Sequence, residues 1–104
     1  MTIKHLQDVE SFEEALKHKM VVVDFYADWC GPCKRLAPAL EQLAGKNSHV
    51  HFYKVNVEEN VEVSKKYKIS AMPTIIFFKS GEEVTKVVGA DISKIEDGVK
   101  KLQD

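Results

Sequence analysis

The stretch MVVVDFYADWCGPCKRLAPALEQLA, residues 20–44, carries two patterns in succession. Met20 to Ala27 is a nearly unbroken apolar run rich in β-branched residues, which suits a strand covered on both faces. Beyond Cys33, Leu36, Ala37, Leu40 and Leu43 recur at helical spacing. Pro38 lies inside that helix and is expected to kink it. Pro32 fits a first helical position, so the junction places Cys30 at a helix N-terminus. Cys30 and Cys33 are the only cysteines of the chain, and Gly31 and Pro32 alone separate them.

Helical and strand patterns alternate on either side of this stretch. Ser11 with Glu14 makes a capping box that predicts a first helix over FEEALKHK. VHFYKVNV, residues 50–57, reads as a second strand, and Asn60 as the cap of a short helix through VEVSKKY. TIIFFK, residues 74–79, is a third buried strand; KSGE turns the chain and EVTKVVG returns as its antiparallel partner. Ser93 with Glu96 forms another capping box before a terminal helix, IEDGVKKL. There are no repeats or linkers, and residues 1–104 are expected to form one α/β domain with a mixed sheet and helices on both faces.

Composition excludes several classes. With 44% hydrophobic residues the chain can build a core without disulfide staples. Lys and Arg total 15 against 16 Asp and Glu, and Arg35 is the lone arginine. That balance offers no basic stripe for nucleic acid. No apolar run reaches the roughly 20 residues of a membrane span. The opening MTIKHLQDVESFEEALKHK is polar and lacks the apolar stretch of a secretory signal, so a cytoplasmic setting is expected.

A cysteine at a helix N-terminus meets unpaired backbone N–H groups and the positive end of the helix dipole, which favour the thiolate. The second cysteine, one turn on, can reach the first and release an attacked partner intramolecularly. Other readings compete. A permanent structural disulfide would close too short a loop to stabilise much. A zinc site needs about four ligands; His49 and His51 could supply the missing pair, though C-x-x-C with H-x-H is not a standard spacing. A pair of inert core cysteines fits poorly with the Gly-Pro linker and the neighbouring Trp29. Asp24 is also unusual, because a carboxylate inside a doubly covered strand is costly and its acidity should weaken. A half-exposed strand with Asp24 and Tyr26 facing water is the alternative.

WCGPCK (residues 29–34), VVVDFYADWCGPCKRLAP, KVNVEEN, MPTIIFFKSGE and KVVGA together resemble the thioredoxin family over the whole chain. The resemblance implies a central mixed sheet of about five strands flanked by about four helices. It implies that Cys30 attacks, Cys33 resolves, Asp24 transfers a proton and Lys54 tunes that acid. It makes Pro73 a cis-proline facing the cysteines, with the Met72 backbone able to pair with an extended client. Trp29, Gly31, Pro32, Val57, Met72, Val88, Gly89 and Ala90 would form a docking patch around them. Implied too are disulfide reduction without a bound cofactor or metal, and electrons from NADPH through a flavoprotein reductase. Clients such as peroxiredoxins and ribonucleotide reductase, and a monomeric state, follow from the same resemblance. Two positions depart from the family pattern. Glu58 stands where Asp often supports the active-site Trp, which puts that contact in doubt, and Tyr26 stands where Trp is common. Rival readings are a secretory-type oxidase or isomerase, a non-catalytic binding subunit and a zinc module; Pro32 favours the reductant over the first.

Overall fold

The computed structural model describes residues 3–104. In chain order the elements are β1 (Ile3–His5), α1 (Val9–Ala15), β2 (Met20–Tyr26), α2 (Gly31–Lys46), β3 (His51–Asn56), α3 (Val61–Lys66), β4 (Thr74–Lys79), β5 (Glu82–Val88) and α4 (Ile92–Gln103). The five strands form one sheet in the order β1-β3-β2-β4-β5. β1 and β2 each run parallel to β3, whereas β4 runs against β2 and β5 against β4.

Strand alternation explains the layers. Successive side chains of a strand point to opposite faces. Val21, Val23 and Phe25 join Phe12, Val63, Ile76 and Phe78 on the α1/α3 side. Val22 joins Leu36, Leu40, Ile75, Phe77, Ile95 and Leu102 on the α2/α4 side. Residues 21–25 are at most 1% exposed, so β2 is covered on both faces as its unbroken apolar run requires. α4 lies close against the sheet at Gly98, where a Cβ would collide with the ring of Phe77. Among the described residues no helix is long and apolar enough to cross a membrane.

Several local expectations shift. β1 is a fifth strand that the residue pattern did not reveal: three residues long, with only Ile3 buried, it is too short to show a period. The first helix starts earlier than Ser11. Its cap is Asp8, whose carboxylate accepts from Ser11 N at 2.8 Å while Ser11 Oγ accepts from Asp8 N at 3.2 Å. α4 likewise is capped by Asp91, which accepts from Lys94 N at 3.1 Å, so Ser93 lies inside the helix. In both cases an aspartate was available before the serine, and a charged acceptor at the dipole's positive end serves well as a cap. Asn60 occupies the cap position of α3 without a capping bond. Its Nδ2 donates instead to Leu6 O at 3.3 Å and Asn56 O at 3.1 Å. α2 continues through Pro38 as one helix of 16 residues.

Candidate active site

The end of β2 and the start of α2 bring the cysteines to one rim of the sheet. Cys30 is the N-cap of α2, with φ −85° and ψ 107°, and Pro32 falls in the first turn. Cys30 Sγ accepts from Cys33 N at 3.2 Å, so a backbone N–H of the helix's first turn is aimed at the sulfur. The two residues are joined as a disulfide, with Cα atoms 5.3 Å apart. Both side chains are buried, in a small cluster with Ala27, Tyr26, Val57 and Met72. This bond links neighbours within one turn and ties no separate elements together, so it offers little as a structural staple.

Three other segments close around the pair. Val57 N donates to Tyr26 O at 2.9 Å, carrying the β2–β3 pairing to the rim. The Met72–Pro73 peptide is cis, and Met72 packs against the cysteine cluster. Thr74 pairs with Val88, and Gly89 N donates to Pro73 O at 2.8 Å, which sets Val88, Gly89 and Ala90 beside Pro73. Gly89 has φ +104°, a conformation that favours glycine there. Trp29 and Val88 are 65% and 58% exposed, large apolar side chains left facing solvent. Single exposed residues are ordinary, but two beside a partly buried Met72 and an exposed Pro32 make an apolar rim. The Glu58 contact left in doubt by the longer side chain is made: Trp29 Nε1 donates to Glu58 Oε2 at 3.1 Å.

Beneath the rim lies Asp24. It is 1% exposed and its Oδ1 has no hydrogen-bond partner, so the half-exposed alternative does not hold. Burial pushes its carboxyl from 3.8 up to about 6, with Lys54 pulling the other way. Lys54 is its cross-strand neighbour on β3. A cavity of about 130 Å³ is lined by Cys33 and Lys54 together with Tyr26, Ala27, Asp28, Lys34 and Ala37. Asp24 and α2 also share a face of the sheet, since Asp24 lies two residues from Val22, which packs on Leu36 and Leu40.

The zinc alternative loses its ligands. His51 pairs with Val21 at the opposite end of β2 from the cysteines, and its ring stacks on His18 with centroids 3.7 Å apart. His49 Nε2 is engaged with Gln103 Oε1 at 2.7 Å. Among the described residues no group of three or more His, Cys, Asp or Glu could hold a metal ion. Two polar neighbours of the site escaped sequence reasoning, His5 and Asn56, because nothing in a linear pattern gives the registers of β1 and β2 on β3.

A family model described as "Thioredoxin" matches residues 3–101. The chain is 44% identical over 99 residues to Thioredoxin-2 of Saccharomyces cerevisiae, covering 93% of this chain and 95% of that protein. It is 43% identical over 97 residues to Thioredoxin-2 of Pyricularia oryzae, 92% of this chain but 57% of that longer protein. Among solved structures it superimposes with a TM-score of 0.91 and 35% identity, over 95% of this chain and 94% of the other. That neighbour comes from a study of the thiol resolving mechanism in yeast mitochondrial 1-Cys peroxiredoxin via glutathione and thioredoxin systems.

Proposed function

The chain belongs to the thioredoxin family and acts by dithiol–disulfide exchange through Cys30 and Cys33, and on that premise we propose how its residues divide the reaction. The observation that carries the proposal is the Cys33 N–H aimed at Cys30 Sγ on a helix N-cap. In the dithiol form that donor and the helix dipole stabilise a Cys30 thiolate. The thiolate attacks one sulfur of a client disulfide, forming a mixed disulfide and expelling the other client sulfur as thiolate. Cys33 then gives its proton to the Asp24 carboxylate, and its sulfur attacks Cys30 Sγ. The second client sulfur leaves, two electrons have passed to the client, and the Cys30–Cys33 disulfide remains. Both thiols sit in one helical turn, so the second attack is intramolecular and fast.

A carboxyl held near neutrality suits that proton transfer, because it is ionised often enough to accept and weakly acidic enough to return the proton on re-reduction. Lys54 moderates the burial effect so that the charged form is reached at neutral pH. Trp29, Gly31, Pro32, Val57, Met72, Pro73, Val88, Gly89 and Ala90 form the docking rim. An extended client strand pairs there with the Met72 main chain, a mode that reads backbone and tolerates many sequences. Clients are disulfide-bearing proteins, with peroxiredoxins and ribonucleotide reductase as the candidate classes. Electrons arrive from NADPH through a flavoprotein reductase. The setting is a reducing cytoplasm, where a proline between the cysteines suits net reduction, and the protein acts as a monomer.

Cys33→Ser tests this directly. The variant should accumulate mixed disulfides through Cys30 when mixed with a disulfide client, visible as reductant-sensitive adducts by mass spectrometry. A Cys30→Ser control should show none. Adducts absent from the first variant, or equal in both, would remove the assigned division between attacking and resolving sulfur.

A further inference from the structure

Asp24 has polar company on its face of the sheet. His5 pairs with Lys54, and Lys54 with Asp24, so the three form one row across β1, β3 and β2. Tyr26 lies two residues beyond Asp24 on the same face, opposite Asn56. Lys54 Nζ sits 5.1 Å from the centroid of the Tyr26 ring. The Tyr26 hydroxyl is 3.2 Å from His5 Nδ1, and the two rings meet edge to face at 5.9 Å. Asn56, the residue opposite Tyr26, turns its side-chain oxygen to the backbone instead and accepts from Glu58 N at 2.9 Å.

We propose that Tyr26 and His5 are positioning residues for Lys54: the ring seats the ammonium beside the buried Asp24 carboxyl, and His5 holds the ring by its hydroxyl. A lysine has many rotamers, and its influence on a buried acid falls off with distance and water. A ring face beneath Nζ removes much of that freedom and adds its own attraction for the cation. The phenol in turn is fixed only if its hydroxyl has a hydrogen-bond partner, and the His5 ring nitrogen at 3.2 Å is one. Other charges facing this cluster are Asp28 and Glu59, which act on the phenol, and Lys34 in the wall of the cavity. None of them occupies the row between His5 and Asp24. The inference rests on the proton-transfer role assigned to Asp24, and it says how that acid is kept usable.

The test follows the Asp24 carboxyl by ¹³C NMR titration in the full chain, in wild type and in Lys54→Met, Tyr26→Leu, Tyr26→Phe and His5→Ala. Lys54→Met should raise the proton affinity of Asp24. Tyr26→Leu should raise it in the same direction, by about two- to fivefold, the scale of a lost cation–π contact. Tyr26→Phe restores the ring and should recover most of the difference. His5→Ala should match Tyr26→Phe and add nothing in a Tyr26→Phe background, as one shared contact requires. An Asp24 titration unmoved by Lys54→Met or by Tyr26→Leu overturns the proposal. So does a His5→Ala effect of equal size with Tyr26 or Phe present, which would mean that His5 acts by its own charge. Turnover of Asp24→Asn is read separately; unchanged turnover would remove Asp24 from the chemistry while leaving the titration result to stand.

Discussion

Asp24→Asn should make the protein more stable and a poorer catalyst at once, and the stability gain should depend on pH. The folded protein holds the Asp24 proton with a pKa of about 6, against 3.8 for an ordinary aspartate. Each tenfold change in acidity is about 1.4 kcal/mol, so ionising this group in the folded state costs about 3 kcal/mol more than in the unfolded chain. Folding therefore takes up a proton between the two values. Stability falls as pH rises through that window, and the whole deficit is in place above it. Asparagine keeps the shape and carries no charge, so it avoids the deficit. In urea denaturation of the oxidised protein, the variant should exceed wild type by about 3 kcal/mol at about pH 8 and match it at about pH 3. For a chain of this size that gain corresponds to a rise in Tm on the order of 15 °C. Reduction of a client disulfide at neutral pH should slow in the same variant, because the acceptor for the Cys33 proton is gone. A stability difference that does not vary with pH, or that favours aspartate at high pH, would refute the assignment of burial as the cause.

Gly98→Ala should destabilise the protein by about 1–3 kcal/mol in the same assay, since the new methyl runs into the Phe77 ring; a loss under about 0.5 kcal/mol would show that α4 can slide outward freely. Glu58→Ala removes the acceptor of the exposed Trp29 indole. It should leave stability within about 0.5 kcal/mol while lowering the rate of client reduction several-fold, read as kcat/KM with a protein disulfide; an unchanged rate would mean that the indole needs no support to serve as part of the rim.

The cysteine pair and the strand–helix junction were legible because each rests on a local rule: Cys30 and Cys33 span one turn, Pro32 belongs at a helix start, and an unbroken apolar run means double coverage. Asp24 stood out for the same reason, as a charge where none should be. Helix starts were legible only to within a turn, because Ser11 and Asp8 both fit a cap and the choice depends on which of the two residues leaves the helical backbone conformation. The link from His5 to Asp24 was not legible at all. It exists only once β1 settles on β3 in a particular register, and three residues of which one is buried carry too little pattern to specify that. The rim segments around Pro73 and Gly89 came from family resemblance, since no periodicity announces that loops distant in sequence will touch.

β4 runs against β2, and Phe25 pairs with Thr74. That reversal makes the chain entering β4 arrive at the same rim that the chain leaves after β2, so Met72 packs on the cysteine cluster from the second half of the polypeptide. The two sulfurs are therefore set within one helical turn, while Met72, Pro73 and Gly89 reach the rim only from the second half of the molecule. A growing polypeptide emerging from the ribosome would carry the cysteine pair, Trp29 and Val57 before it carried the segments that complete the rim. On the docking reading proposed above, a product cut short before β4 would keep its oxidisable pair and lack Met72, the main chain with which a client strand is proposed to pair.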